Sequence, residues 1–391
     1  MSGLGLRWRP VRLPLASAHR SALPGAAADL RVREGLVLAC GDGTRTGWGE
    51  ALPLPLPGQP TPAELSGLLA EGAPELVEDP RRAPPVLRCA LESALLDLAG
   101  QIRGVPMAAL IASREPPRPG ASLEVNGVID ADAGPPAEVA RAGRALAHAG
   151  FGTLKLKVGA AGLAVDVARV EALRGACPGA RLRLDANGAW REPLARLAVE
   201  RLAPHRIELI EQPLPAGDVA ALRRLREISS IPIAADEALW EEGGATRVLA
   251  EDAADVLVLK PAALGGVIRA AELAASARCR RVGAVVTTTV DSSLGTALAL
   301  QLAAAVESDA AAHGGGAGGR AHGLATGLAL GEDLVVAPLL PGGGRMALPA
   351  APGLGIAPDG GAIERLATGP WSEAPGPASA LDRAVADAGA G

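Results

Sequence analysis

The chain has 391 residues, enough for a barrel-sized domain beside a smaller one. Its 38 basic and 43 acidic residues leave a net charge of −5 without any dense Lys/Arg block, which argues against nucleic acid and against a membrane surface as partners and leaves a small molecule. Four cysteines, Cys40, Cys89, Cys177 and Cys279, show neither C-x-x-C nor Cys/His spacing, which excludes zinc and a disulfide framework and fits a reducing cytoplasm.

In chain order, "MSGLGLRWRPVRLPLASAHRS" carries arginines where a signal peptide needs an unbroken apolar run, so a first strand is expected. "LRVREGLVLACGDGTRTGWGEALPLP" contains two β-rich runs around a Gly/Asp turn, the pattern of a hairpin. "TPAELSGLLAEGAPEL" and "PPVLRCALESALLDLAGQI" place apolar residues at helical spacing behind prolines. Residues 1–119 therefore read as an α+β domain.

From residue 120 short apolar runs alternate with helical stretches: "GTLKLKV", "RLRLDAN", "IELIEQP", "IPIAADE", "DVLVLKP" and "VGAVVTT". Alternation of this kind means a parallel sheet. The polar residues that end the first five of these runs step by 28, 26, 25 and 24 residues, one β/α unit each time, which fits a (β/α) TIM-type barrel over 120–335 better than a doubly wound sheet. "SSLGTALALQLAAAV" is too short to span a bilayer and reads as an amphipathic to buried helix. The glycine-rich "AAHGGGAGGRAHGLATG" reads as a mobile loop, and residues 336–391 form a proline-rich segment that closes on a loose tail, "SEAPGPASALDRAVADAGAG".

Asp185, Glu211 and Asp236 end three consecutive strands. Carboxylates gathered at one barrel mouth repel one another without a cation, and oxygen-only ligands suit Mg²⁺ or Mn²⁺. Glu237, beside Asp236, is the alternative third ligand. Lys157 lies one strand before the acids and Lys260 one strand after them, which places the two lysines on opposite sides of the mouth. Because strand side chains alternate, Leu154, Leu156 and Val158 face the outer helices while Lys155 and Lys157 face inward. An isolated Lys-x-Lys would be the solvent face of an edge strand, but this one lies inside the parallel repeat. A lysine is a poor base at its reference pKa of about 10.4, and a neighbouring ammonium and a divalent cation both disfavour its charged form. Lys155 is thus expected to help Lys157 act as a base towards a proton next to a carboxylate.

Taken together, Lys-x-Lys, "DAN", "EQP", "ADE" and "LKP" in that order resemble the enolase superfamily and its muconate-lactonizing subgroup. The resemblance covers nearly the whole chain. It implies a modified (β/α) barrel with an N-terminal α+β capping domain, to which the C-terminal segment returns. "NGVI" at Asn126 is similar to that family's first barrel strand, with Asn126 beside the substrate. It further implies Mg²⁺ on Asp185, Glu211 and Asp236, with Lys157, Lys260 and Lys155 as catalytic residues acting on a small-molecule carboxylate.

Within the subgroup, "GWGEALPLPLPG", "TTTVDSSLGTALALQLAAA" and "HGLATGLALGEDLVVAPLLP" resemble the o-succinylbenzoate synthase family. This implies syn dehydration of 2-succinyl-6-hydroxy-2,4-cyclohexadiene-1-carboxylate to o-succinylbenzoate, a step towards menaquinone. Lys157 would remove the α-proton and assist hydroxide departure, Lys260 would remain cationic on the other face, and Lys155 would contact the carboxylate. The alternatives are dipeptide epimerase, N-acylamino acid racemase and muconate cycloisomerase; the Asp-x-Asp pair typical of dipeptide epimerases near the last strand is missing. A non-catalytic barrel that only binds is the reading from a different class. Ser292 and Ser293 open a helix whose N-terminus is expected either to contact a substrate carboxylate or to be capped by the serines themselves.

Overall fold

The computed structural model describes residues 4–19, 30–112, 117–118, 120–130, 134–312, 319–377 and 379–381. Strands β1 (Leu4–His19), β2 (Leu30–Gly41) and β3 (Thr46–Ala51) are followed by helices α1 (Pro62–Glu78), α2 (Pro85–Arg103) and α3 (Met107–Ile111). After β4 (Ser122–Glu124) the barrel units run β5 (Gly127–Ile129), α4 (Pro136–His148), β6 (Thr153–Lys157), α5 (Leu163–Ala176), β7 (Arg181–Asp185), α6 (Glu192–Leu202), β8 (Ile207–Glu211), α7 (Val219–Ile228) and β9 (Ile233–Ala235). They continue with α8 (Gly244–Ala250), β10 (Val256–Leu259), α9 (Pro261–Leu264), α10 (Val267–Cys279), β11 (Gly283–Val286) and α11 (Ser293–Ala312), and the chain ends with β12 (Arg345–Ala347), α12 (Gly360–Leu366) and β13 (Ser372–Gly376).

Two sheets dominate: an antiparallel one in the order β13-β1-β2-β3, and a seven-stranded parallel one running β11-β10-β9-β8-β7-β6-β5. The result is a modified (β/α) barrel carrying an α+β capping domain, with the strands of the parallel sheet in the predicted succession. Residues 322 and 323 close the ring through single bridges from Val125 to His322 and from Thr287 to Gly323. His322 is fully buried and accepts a hydrogen bond from the Val286 N–H at Nδ1, 3.0 Å, so its other nitrogen carries the proton and faces Glu307.

The local causes are visible in the sequence. Thr61 and Glu64 form a capping box that starts α1. Asp42 accepts hydrogen bonds from the N–H groups of Thr44 and Arg45 and so turns β2 into β3. In β3 the glycines of "GWGE" are required by close approach: a Cβ at Gly47 would lie 2.0 Å from the carbonyl oxygen of Ala94, and one at Gly49 would lie 2.1 Å from that of Ala90, both on α2. β2 is buried on both faces: Leu36, Leu38 and Cys40 pack under α1 and α2, while Val37 packs towards the barrel core. That double burial seats the capping domain on the barrel.

Where a loose tail is expected, "SEAPG" pairs antiparallel with β1, Leu4 opposite Gly376 through Trp8 opposite Ser372. The segment has no apolar alternation of its own, and the exposed edge of β1 supplies the order. Residues 382–391 of that tail, and residues 313–318 of the glycine-rich stretch, lie outside the described residues. Among the described residues no helix is long and apolar enough to cross a membrane.

Candidate active site

All three lysines of the chain belong to barrel strands or their ends: Lys155 within β6, Lys157 at its end and Lys260 just after β10. The other 35 basic residues are arginines, a signal that sequence reasoning passed over. Arginine cannot be deprotonated in a protein, so lysine is the basic residue that can also serve as an amine.

Parallel register sets the site: Lys157 lies opposite Asp185, and Asp185 opposite Glu211. Lys155 Nζ donates to Asp185 Oδ2 and to Glu211 Oε1, both at 3.0 Å. Lys260 Nζ donates to Asp236 Oδ2 at 2.5 Å and lies 4.7 Å from the centre of the Trp240 ring. Lys157 Nζ donates to Asn187 Oδ1 at 3.0 Å and stands 3.9 Å from Asp185. Asn187 in turn donates through Nδ2 to Glu237, 2.8 Å. The buried acids pair differently, Asp236 with a lysine and Glu237 with an amide. Gln212 supports them, accepting at Oε1 from the N–H groups of Asp236 and Ala238. Asn187 and Gln212, with φ of 42° and 36°, occupy the left-handed region; both belong to the "DAN" and "EQP" motifs, where strained backbone aims side chains inward.

Burial alone would favour a neutral Lys155, but Asp185, Glu211 and Asp236 outweigh it and push its pKa above the ordinary lysine range. Burial would likewise raise Asp185, yet Lys155, Lys157 and Lys260 hold it well below the usual carboxylate range. Glu211 is pushed up to about 7 by burial and then by Asp185. Asp236 rises to about 7 through burial, with Lys260 opposing. Burial is the leading cause at both Glu211 and Asp236, and the ammonium groups only partly offset it there.

Among the described residues no three acid, His or Cys side chains converge on one ion position as they stand, because Lys155 lies between Asp185 and Glu211. The donor set nevertheless fits a hard divalent cation: three buried carboxylates on adjacent strands, with Asp236 Oδ1 lacking any hydrogen-bond partner. Asp185, Glu211 and Asp236 could hold it once Lys155 gives up one carboxylate.

A cavity of about 350 Å³ opens over these groups. Lys155, Lys157, Asp185, Asn187, Trp240 and Lys260 form its floor; Thr287, Thr288, Thr289 and Val290 form one wall, and Leu54, Pro55 and Leu56 of the capping domain another. Asn126, which immediately precedes β5, also lines it. Trp240 and the threonines were not foreseen, since nothing in their spacing marks them.

Ser292 and Ser293 are a correction. Both are buried away from the cavity lining. Glu50 accepts from the N–H groups of Ser292 and Gly295, each at 3.0 Å, and pairs with the Ser292 hydroxyl. Asp333 takes the Ser293 N–H at 3.0 Å and its hydroxyl at 2.7 Å. The N-terminus of α11 does bind carboxylates, but they are the protein's own.

Residues 137–362 match the family model of enolase C-terminal domain-like proteins. Muconate cycloisomerase 1-2 of Acinetobacter lwoffii is 32% identical over 280 residues, 71% of this chain and 69% of that one. The o-succinylbenzoate synthase of Thermobifida fusca is 41% identical over 159 residues, 40% of this chain and about half (49%) of that one. Among solved structures, the substrate-liganded L-Ala-D/L-Glu epimerase of Bacillus subtilis superposes with a TM-score of 0.79 at 25% identity, covering 92% of this chain and 99% of that one. The dipeptide epimerase of Enterococcus faecalis, complexed with Mg and the dipeptide L-Leu-L-Tyr, gives 0.79 at 23% identity over 91% of this chain and 100% of that one, a likeness of fold.

Proposed function

The chain belongs to the enolase superfamily, in its muconate-lactonizing subgroup, and on that premise we propose that it is an o-succinylbenzoate synthase. The observation that carries a catalytic reading is the pair Lys157 and Lys260, which face one cavity from β6 and from the end of β10, across the acids of β7, β8 and β9. The stretch shared with the Thermobifida synthase supports the choice within the subgroup.

In this reading the substrate carboxylate lies over the acids and its α-carbon beside Lys157. Mg²⁺, when bound by Asp185, Glu211 and Asp236, supplies a positive charge that polarises the carboxylate and disfavours the charged form of the neighbouring lysine. The amine of Lys157, steered by Asn187, takes the α-proton at Nζ. The C–H electron pair moves into the carboxylate, where Lys260, held cationic by Asp236, stabilises the charge from the opposite face. The pair then returns to form the ring double bond as the C–O bond of the adjacent hydroxyl breaks. Lys157 delivers its proton to the departing hydroxide on the same face, so one water leaves and Lys157 is again neutral. Lys155 stays an ammonium and orients the carboxylate.

A second reading, epimerisation or racemisation of an acylated amino acid, is favoured by the likeness to the epimerase structure and by Lys260, which could deliver a proton from the other face. Turnover of the cyclohexadiene carboxylate with Mg²⁺, run beside N-succinylamino acids and Ala-Glu, separates the two. Dehydration without turnover of the amino-acid substrates is expected; activity confined to the dipeptide would overturn the synthase. Lys157→Ala should lower α-proton exchange with deuterated solvent by about 10³-fold, within the range typical of a lost general base, and exchange at the wild-type rate would remove Lys157 as the base.

A further inference from the structure

The cavity has walls from two domains, and one buried cation lies behind both. Arg33, on β2, is 1% exposed. Its Nη2 donates to the carbonyl of Leu52 at 2.7 Å, its Nη1 to that of Pro53 at 2.9 Å, and its Nε to that of Val290 at 3.3 Å. Leu52 and Pro53 lead directly into the capping wall of Leu54, Pro55 and Leu56, while Val290 ends the barrel wall that begins at Thr287. Val290 has a φ of 65°, a left-handed conformation that a β-branched residue adopts only when its surroundings impose it. Asp291 and Glu50 are the charged groups that act on the guanidinium, while these three hydrogen bonds all go to backbone carbonyls.

We propose that Arg33 is a positioning residue that fixes the separation of the two cavity walls, and thereby the fit of the substrate's distal portion. A planar fork with donors in fixed directions reaches three carbonyls at once, which an ammonium on a shorter stem does not. Arg33 does not line the cavity; it acts through the backbone of 52–53 and 290. The substrate-fit part rests on the catalytic reading of the cavity, whereas the clamp itself does not.

The test uses the full-length protein with Mg²⁺, as Arg33→Met and Arg33→Lys. Amide hydrogen exchange is followed in peptides covering 50–56 and 287–292, and kcat and KM are measured for the cyclohexadiene carboxylate or, if wild type turns over only N-succinylamino acids or Ala-Glu, for that substrate. In Arg33→Met both segments should exchange at least tenfold faster while the strands keep their protection, and KM should rise about tenfold with kcat changed less than threefold. Arg33→Lys, which keeps the charge but not the fork, should recover less than half of the protection. Loosening of one segment alone, of neither, or uniformly across the protein would overturn the clamp. Joint loosening with an unchanged KM would overturn its part in substrate fit. If Arg33→Met does not fold, Arg33→Lys carries the same readouts. A wild type that turns over none of these substrates would count against the proposed function, and the exchange data would still decide the clamp.

Discussion

Two groups of buried carboxylates lie in this molecule and are neutralised in opposite ways. Asp185, Glu211 and Asp236 face ammonium groups on flexible side chains. Glu50 and Asp333 face backbone N–H groups and serine hydroxyls at the start of α11. A side-chain cation can be exchanged for another cation; a backbone N–H cannot leave. The first cluster can trade partners, whereas in the second Glu50 ties β3 of the capping domain to the start of α11, a contrast produced from the same residue chemistry.

The largest expected effect comes from removing the movable partner. Lys155→Ala leaves Asp185 and Glu211 facing each other and should destabilise the apo protein by about 3–5 kcal/mol, the usual cost of breaking a buried ion pair. Added Mg²⁺ should restore much of that in a thermal melt. A loss that Mg²⁺ leaves untouched would mean that the acids cannot accept an outside cation.

Glu50→Ala tests the fixed cluster. It strands the N–H groups of Ser292 and Gly295 in the interior, so a loss of about 2–3 kcal/mol in denaturant melts is expected. Mg²⁺ should recover none of it, and recovery would erase the contrast.

A further test of the fixed cluster is in pH. Burial, reinforced by Asp291 and opposed by the Ser292 hydrogen bond, pushes Glu50 up to about 8. For an acid with a raised folded-state pKa the native state binds more protons than the unfolded chain between the two values, so stability falls as pH rises. The Glu50 contribution is complete below about 4.5, the ordinary glutamate value, and is lost as pH climbs through about 8. Melts of wild type should weaken across that window and those of Glu50→Gln should be flatter; equal slopes would assign the dependence to another group.

Much of the barrel and the floor of the site was legible because both rest on local rules. Period-two alternation put Lys155 and Lys157 on one face, and the even spacing of strand ends placed the acids in neighbouring positions. Alternation could not say that Lys155 would bridge two of those acids, because that depends on the reach of a side chain across register. Ser292 illustrates the other limit. A serine at a helix start reads as a cap or a ligand contact, and what decides is Glu50, 242 residues earlier in the chain. The strand at "SEAPG" and the closure at His322 were equally hidden, since each is ordered by a partner's edge and not by its own pattern.

The confinement of every lysine to the cavity floor also makes this protein unusually simple towards amine-reactive reagents. Acylation and reductive alkylation consume neutral amines. Lys155 and Lys260 donate to carboxylates, while Lys157 donates to an amide with Asp185 3.9 Å away. A reagent small enough to enter the cavity therefore finds its side-chain amines only at these three positions, and label mapped to their peptides, apart from any on the α-amine, reports on the catalytic centre. An occupant of the cavity would reveal itself by protecting those positions.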